Sequence, residues 1–126
     1  MSDSDPMATF SAAIARANEA GLGYVHMIEG DTGASRELPQ DADVGALRKL
    51  VKGAYLANNL YDRENAIKAV ESGAADMIAF GRLFIANPDL VERLERNAPL
   101  NEPQPATFYG GGAEGYTDYP ALDEAA

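Results

Sequence analysis

One stretch organises the chain around it, and it reads Ala75-Asp76-Met77-Ile78-Ala79-Phe80-Gly81-Arg82-Leu83-Phe84-Ile85-Ala86-Asn87-Pro88-Asp89-Leu90. It predicts a short buried strand over residues 76–80, a corner at Gly81 and Arg82, a loop, and then a helix opened by residues 87–89. A small residue and a cation at the carboxyl end of a strand lie where α/β sheets bind their ligands. This corner is therefore the first candidate for a binding site.

Two more units of the same kind precede this stretch. Asp5-Pro6 predicts the start of a first helix that ends at Gly21, and the apolar run 23–28 predicts a first strand covered on both faces. A second helix over residues 43–51 leads to a second strand over residues 54–57. Strands that alternate with helices pair in parallel through right-handed crossovers, so the sequence predicts an α/β fold of repeated βα units.

The second strand breaks at Asn58-Asn59, residues that tolerate unusual backbone angles and offer amide groups to a ligand. Asp62 predicts the N-cap of a third helix, and Gly73 predicts its end. The positions of this helix that we expect to face the core are Ala66, Ile67, Ala69 and Val70.

Two polar residues belong to the first strand or follow it directly. His26 is the only histidine and has no partner at metal-binding spacing, so we interpret it as a hydrogen-bonded histidine of the core or the rim. Glu29 faces the ligand-binding rim of the predicted sheet, which makes it a weaker site candidate. The polar segment 30–40 predicts a loop after the strand.

Composition limits the function classes. The chain has 126 residues, enough for one domain, and a net charge of -10, which disfavours nucleic acid and anionic membranes as partners. It contains no cysteine and one histidine, which excludes disulfides, thiolate zinc sites and sites with several histidines, so no metal is expected. No apolar run approaches about 18 residues and the first residues are acidic, so we expect a cytoplasmic protein.

The last part of the chain has a different composition. Prolines at positions 99, 103 and 105 precede the runs Phe108-Tyr109-Gly110-Gly111-Gly112 and Gly115-Tyr116-Thr117-Asp118-Tyr119-Pro120. A segment with so many aromatic residues predicts a tail laid over a protein surface or a site, with disorder as the alternative. We interpret Tyr116, Asp118 and Tyr119 as residues that dock this tail.

Several of these segments together resemble a known family. They are Ser2-Asp3-Ser4-Asp5-Pro6-Met7-Ala8-Thr9-Phe10, Tyr24-Val25-His26, Ala57-Asn58-Asn59-Leu60-Tyr61-Asp62, Ala79-Phe80-Gly81-Arg82, Ile85-Ala86-Asn87-Pro88-Asp89-Leu90, and the run from Phe108 to Pro120. On these residues the chain resembles the Old Yellow Enzyme family, which comprises FMN-dependent NAD(P)H oxidoreductases that reduce activated alkenes.

The resemblance implies a fold and its limits. Members of the family are single (β/α)₈ TIM barrels, which need about 250 residues, and the chain is similar to the last three βα units plus the C-terminal tail, incomplete as a barrel. Residues 1–100 would be partial barrel units, and residues 101–126 a tail packed over the barrel rim. The family's paired active-site residues and its proton-donating tyrosine would lie outside this chain. No catalytic residue is therefore assigned here, and whether the isolated chain is an enzyme stays open.

The resemblance also implies which residues bind the cofactor. The backbone groups of Asn59 and Leu60, together with Gly81 and Arg82, would hold the phosphate of FMN, and Tyr109 would lie over the flavin. Glycine allows close approach of the backbone, and a guanidinium group pairs well with phosphate oxygens. The alternatives are an ion pair of Arg82 with Asp62 or Glu64, and Tyr109 as an aromatic anchor of the tail.

Three hypotheses for the function follow. In the first, hydride passes from NAD(P)H to FMN and then to an electron-poor alkene, and this chain supplies the phosphate corner and the tail. In the second, the chain is a truncated, non-catalytic fragment that at most binds FMN or phosphate, complements an N-terminal barrel fragment, or self-associates. In the third, it folds as a small open α/β domain whose tail covers one sheet edge.

Overall fold

The structure is a computed structural model that describes residues 3–30, 35–38 and 42–122. Its first compact unit ends at Ala79 and its second begins at Phe80. The elements, in chain order, are α1 (Pro6–Glu19), β1 (Tyr24–Ile28), α2 (Val44–Leu50), β2 (Ala54–Asn58), α3 (Arg63–Glu71), β3 (Met77–Ala79), α4 (Arg82–Ala86), α5 (Leu90–Arg96) and a 3₁₀ helix (Pro105–Thr107). The predicted loop over residues 30–40 lies partly outside the described residues.

The strands form one parallel sheet in the order β1-β2-β3. Met27 of β1 lies opposite Ala57 of β2, and Leu56 of β2 lies opposite Met77 of β3. The prediction of an α/β fold with alternating helices and strands is confirmed. The third strand is shorter than predicted, because only Met77–Ala79 pair as a strand.

The helices of the first unit begin where their capping residues predict. The carboxylates of Asp5, Asp43 and Asp62 each accept a hydrogen bond from the backbone N–H three residues further on. Such caps satisfy backbone donors that a helix leaves unpaired at its N-terminus. Gly21 and Gly73 follow α1 and α3 with positive φ angles of 65° and 74°, so the predicted helix ends are confirmed as well.

The two faces of the sheet differ in burial. On one face Tyr55 and Ala57 are fully buried. On the other face Tyr24, Ile28 and Met77 are 57%, 52% and 43% exposed. The prediction that β1 is covered on both faces is therefore wrong for this chain. Right-handed crossovers between consecutive neighbouring strands place the connecting helices α2 and α3 on the same side of the sheet, so these two helices leave the opposite face open.

The predicted core face of α3 is also wrong. The helix has no buried residue, and Ile67 and Val70 are 38% and 47% exposed. Helix α3 packs on β3, the short edge strand, which offers little surface to cover an apolar stripe.

The sequence predicts a loop after the Gly81-Arg82 corner, but the structure has a short helix, α4, that begins at Arg82 itself. The N–H groups of Phe84 and Ile85 donate to the carbonyl oxygen of Gly81, and Asn87 Nδ2 donates to the carbonyl oxygen of Leu83 at 2.9 Å. The segment can fold as a helix because it contains neither glycine nor proline, the two residues that a helix tolerates least. Residues 87–89 predict the start of the next helix. In the structure this helix, α5, begins at Leu90, two positions after Pro88.

The described part of the tail is tied to α5 by a buried arginine. Arg93 is 3% exposed. Its Nε donates to Asp89 Oδ1 at 2.6 Å, and its Nη1 and Nη2 donate to the carbonyl oxygens of Pro99 and Pro120 at 2.7 and 2.8 Å. The N–H of Leu122 donates to the other carboxylate oxygen of Asp89 at 2.8 Å. One side-chain pair therefore holds both ends of the tail.

Two of the predicted docking residues form hydrogen bonds within the tail itself. Asp118 accepts from the N–H of Gly115 at 2.8 Å, and the hydroxyl oxygen of Tyr119 accepts from the N–H of Gln104 at 2.9 Å. Tyr116 is half exposed. The predicted boundary at residue 100 and the packing of the tail on a barrel rim stay predictions.

Candidate functional site

The first corner of interest follows strand β2. Asn59 and Leu60 have φ angles of 109° and 51°, which are unusual for residues other than glycine. Such angles cost about 1–3 kcal/mol each and persist only where the surroundings fix them. Leu60 is 49% exposed, and its N–H has no acceptor among the described residues. The turn thus presents a free backbone donor at the carboxyl edge of the sheet.

Glu29, which follows β1, fixes this turn from three sides. Its N–H donates to the carbonyl oxygen of Asn58 at 3.0 Å, and its carbonyl oxygen accepts from Asn59 Nδ2. Its carboxylate accepts from the hydroxyl of Tyr61 at 2.8 Å. Asn58, Asn59 and Tyr61 therefore all form hydrogen bonds with Glu29, the residue that directly follows β1.

The carboxylate of Glu29 is buried and has several partners. Glu29 is 9% exposed, and its two oxygens accept from the hydroxyls of Tyr55 and Tyr61, both at 2.8 Å, and from Arg36 Nη2 at 3.2 Å. The guanidinium of Arg36 also lies over the ring of Tyr61, 3.9 Å from its centre. We name Glu29, Arg36, Tyr55 and Tyr61 the carboxylate cluster.

The cluster shifts the titration of both tyrosines. Burial, and then the hydrogen bond to Glu29, raise the pKa of Tyr55 far above its ordinary value. The same two causes, in the same order, raise the pKa of Tyr61, although Arg36 opposes the shift. Both hydroxyls therefore stay protonated donors at neutral pH, which suits a structural role better than proton transfer.

The second corner lies in the other unit, at Gly81 and Arg82. Apart from Gly81 and its two chain neighbours, no heavy atom of the described residues lies within 4 Å of the position that a Cβ would occupy at Gly81. Arg82 is exposed, and its side chain has no hydrogen-bond or ion-pair partner among the described residues. The alternative partners of Arg82 have bonds on their own helix: Asp62 binds Asn65, and Glu64 binds Lys68 Nζ at 2.6 Å.

The two neighbouring aromatic residues of the tail, Phe108 and Tyr109, differ in burial. Phe108 is 7% exposed, whereas Tyr109 is 96% exposed, and their rings meet edge to face at 6.1 Å. Phe108 is therefore the buried member of the pair, and the alternative that Tyr109 anchors the tail on a barrel rim stays a prediction. The prediction that Tyr109 lies over a flavin stays a prediction.

His26 lies on the open face of the sheet. It is exposed, and its Nε2 is 3.1 Å from Nδ2 of Asn58, which donates to it. The interpretation as a hydrogen-bonded histidine is confirmed, but the residue is not part of the core. Within residues 3–30, 35–38 and 42–122, no group of acidic residues, histidine or cysteine is arranged to hold a metal ion.

Each corner, taken by itself, fits part of a phosphate group. In the first unit the turn at Leu60 offers a backbone N–H, and in the second unit the corner offers a guanidinium next to a glycine that leaves room for close approach. Charged and backbone N–H donors are the groups that bind phosphate oxygens in proteins. Neither corner carries a group suited to acid or base catalysis.

A comparison with protein families decides the classification. Residues 4–101 match the model of the NADH:flavin oxidoreductase / NADH oxidase family, whose members bind FMN. The chain belongs to this family. The family fold is the TIM barrel, so the open sheet corresponds to part of one.

Individual relatives agree with the family. The chain is 44% identical over 126 residues to 12-oxophytodienoate reductase 1 of Oryza sativa subsp. japonica, covering 97% of this chain and 33% of that protein. Morphinone reductase superposes with a TM-score of 0.87 at 40% identity, covering 98% of this chain and 33% of its own. The old yellow enzyme of Trypanosoma cruzi gives a TM-score of 0.85 at 40% identity, covering 95% and 31%.

The chain thus spans about a third of the length of the relatives it matches. A further structure of morphinone reductase, with a TM-score of 0.81, contains tetrahydroNAD, so that relative binds a nicotinamide cofactor analogue. In the described part of this chain, no helix is long and apolar enough to cross a membrane.

The carboxylate cluster was missed by sequence reasoning. Glu29 appeared only as a weak site candidate, and the partners of its carboxylate lie 7, 26 and 32 residues away in the chain. One signal was available: a tyrosine in the middle of an apolar strand needs a hydrogen-bond partner for its hydroxyl once it is buried.

Proposed function

We propose that this chain supplies the phosphate-binding part of an FMN site in an oxidoreductase that reduces activated alkenes with NAD(P)H. The observation that carries the proposal is Arg82, an exposed arginine without a partner among the described residues, beside an open glycine after a parallel strand. The corner lies inside the segment that matches the flavin family. In barrels, the loops after the last two strands commonly form the phosphate site.

In this proposal the strands β1 to β3 are the last three of a barrel. Leu60, after β2, donates its backbone N–H to the phosphate, and Arg82, after β3, neutralises its charge with paired hydrogen bonds. Gly81 leaves room for the phosphate, and Asn59 sets the conformation of the turn. Tyr109 covers the flavin from the tail, and its exposure leaves it available to do so.

The bound flavin supplies the redox chemistry, because it accepts hydride from a nicotinamide and delivers it to an electron-poor alkene. The residues of this chain bind and orient it. The polar groups that bind substrate and donate a proton belong, in this proposal, to the part of the barrel that the chain does not span. A cytoplasmic location stays a prediction.

Titration with two flavins tests the proposal. We expect the purified chain to quench the fluorescence of FMN at about 10- to 100-fold lower concentration than that of riboflavin, since a charged hydrogen bond to phosphate contributes about 1.5–3 kcal/mol. Arg82→Ala should remove this preference. Arg96→Ala is the matched control, because Arg96 is an exposed arginine of the same unit that pairs with Glu92. Equal affinity for both flavins in the wild-type chain would refute the proposal.

A second function is favoured by the open face of the sheet. Tyr24, Ile28 and Met77 form an exposed apolar surface in the first unit, and within the described residues β1 and β3 each have one edge that pairs with no strand. In a closed barrel such a face lines the interior and such edges pair with further strands. The net charge of -10 opposes self-association, so the surface fits a polypeptide that carries the remaining strands of a barrel. The chain would then act as a complementing part of a barrel.

Mixing experiments test this second function. We expect the chain to form a one-to-one complex with the segment of morphinone reductase that precedes the matched part, detected by light scattering after size-exclusion chromatography. Ile28→Lys should prevent the complex. Val91→Lys should not, because Val91 is a 68% exposed residue of helix α5 and does not belong to the sheet. A chain that stays monomeric in the mixture contradicts this function.

A further inference from the structure

We propose that Glu29 is the positioning residue of the phosphate turn: its backbone and its carboxylate together hold Asn59 and Leu60 in the conformation that presents the Leu60 N–H to phosphate. The inference rests on the proposed function, which assigns phosphate binding to this turn. It adds a buried residue that does not itself contact the cofactor.

The turn needs an external support. Asn59 and Leu60 both have positive φ angles, and neither is a glycine. Without support from the rest of the protein, this turn would therefore favour other backbone conformations. Asn59 Nδ2 donates to the carbonyl oxygens of Glu29 and Ser35, the latter at 3.1 Å. The side chain of the strained residue is thus held by backbone groups on both sides of the partly described loop after β1.

The carboxylate of Glu29 holds the far end of the turn. Tyr61 directly follows Leu60, is 9% exposed, and donates its hydroxyl to Glu29 Oε2 at 2.8 Å. Tyr55, which donates to Oε1 at 2.8 Å, lies in β2 before the turn. The carboxylate therefore connects the strand that enters the turn with the residue that leaves it.

The charge of Glu29 allows a positioning role to be distinguished from a direct electrostatic effect on the phosphate. A carboxylate repels phosphate, so removal of its charge alone should strengthen FMN binding. A positioning role predicts the opposite, because a glutamine at this position presents an NH₂ group that cannot accept from Tyr61, Tyr55 or Arg36. The sign of the change in affinity distinguishes the two.

Hydrogen exchange of the full chain without any flavin is the first test. In Glu29→Gln we expect the backbone N–H of residue 29, which donates to the carbonyl oxygen of Asn58 next to the turn, to exchange at least about tenfold faster, while the amides of α1 are unchanged. Tyr61→Phe is a milder variant that removes one bond of the cluster and should produce a smaller increase. Glu71→Gln, the same substitution at an exposed position of α3, is the control. Unchanged exchange of the residue 29 amide in both cluster variants overturns the inference.

Flavin affinity is the second test. Glu29→Gln should weaken FMN about tenfold and leave riboflavin unchanged, because only FMN uses the turn. An equal loss for both flavins indicates general destabilisation, and tighter FMN binding indicates a charge effect; either result overturns the inference. If the wild-type chain does not distinguish the flavins, the proposed function fails. If the wild-type chain and Arg82→Ala behave as proposed while Glu29→Gln resembles wild type, only the positioning role fails.

Discussion

The two units of the chain each contain a buried charged residue, and the two charges have opposite signs. In the first unit the carboxylate of Glu29 accepts from Tyr55, Tyr61 and Arg36. In the second unit the guanidinium of Arg93 donates to Asp89 and to two backbone carbonyl oxygens. Each charge is stabilised because several partners surround it, and each connects segments far apart in the sequence. The comparison shows one way to connect distant segments of a chain: a single buried charge whose hydrogen-bond partners come from several of them.

The largest expected effect is that of Arg93→Ala. The substitution removes the Arg93 donor from Asp89 and from the carbonyl oxygens of Pro99 and Pro120, although the Pro120 oxygen still accepts from Asn101 Nδ2 at 2.9 Å. Breaking a buried pair in this way costs about 3–5 kcal/mol. We expect the tail to become sensitive to limited proteolysis and the urea midpoint to fall. Arg96→Ala, which removes an exposed ion pair, should change stability by less than about 1 kcal/mol. If both variants lowered stability by a similar amount, the conclusion that the buried Arg93 contributes more than the exposed Arg96 would be wrong.

The next largest effect is expected for Glu29→Ala. Two buried tyrosine hydroxyls then lose their acceptor, which costs about 1–3 kcal/mol in total because Arg36 is partly exposed and can bind water. Urea unfolding measured against Glu71→Ala, an exposed glutamate on α3, checks the value. A loss as large as that of Arg93→Ala would show that partial exposure of the partner does not matter.

The two units should respond to opposite ends of the pH range. The folded-state pKa values of Tyr55 and Tyr61 are raised above the ordinary value of 10.0, chiefly by burial. Their contribution to stability is complete below pH 10 and is lost as the pH rises above it, by at most about 1.4 kcal/mol per pH unit for each group. Urea midpoints from pH 8 to 11 check this, and the double variant Tyr55→Phe, Tyr61→Phe should lose most of the dependence.

At acid pH we expect the second unit to lose stability, because its residue Asp89 becomes protonated. Burial opposes ionisation of Asp89, but the hydrogen bonds from Arg93 and from the N–H of Leu122 lower its pKa below the ordinary value of 3.8. Its contribution is present above pH 3.8 and is lost as the pH falls through the lowered pKa. We expect the tail to become sensitive to an acid protease only as the pH falls below 3.8. The same sensitivity in wild type and Asp89→Asn would contradict the assignment.

The smallest effect is expected for Tyr61→Phe. The substitution keeps the ring against Arg36 and removes one hydrogen bond to the carboxylate, which contributes about 1 kcal/mol. Thermal unfolding against wild type provides the value. No change in stability would indicate that the ring, and not the hydroxyl, connects Tyr61 to the cluster.

The sequence predicted those parts of the fold that depend on neighbouring residues. The caps at Asp5 and Asp62, the helix ends at Gly21 and Gly73, and the alternation of strands and helices are local signals, and all appear in the structure. The short helix α4 was missed, because an apolar run of this length is compatible with either a loop or a helix.

The features that sequence reasoning missed are those that depend on distant contacts. Glu29 and Tyr61 are 32 residues apart, and Arg93 and Pro120 are 27 apart, so no periodicity relates them. The open face of the sheet was missed for a related reason. The run 23–28 is apolar on both sides, but its burial depends on elements that the apolar pattern does not specify.

The candidate site combines both kinds of information. The corner residues Asn59, Leu60, Gly81 and Arg82 came from strand ends and the family resemblance. The structure adds the backbone angles of Asn59 and Leu60, and it shows no partner among the described residues for the Leu60 N–H or the Arg82 side chain. The support beneath the first corner became visible only in three dimensions, as the contacts of Glu29.

The most direct test of the central claim, that this chain carries the phosphate corner of a flavin site, is a titration of the isotope-labelled chain with FMN, followed by amide chemical shifts. We predict that the largest shifts occur at Leu60, Gly81 and Arg82, and that riboflavin at the same concentration does not produce them. Equal shifts with both flavins, or shifts confined to the open sheet face around Tyr24 and Ile28, would contradict the account.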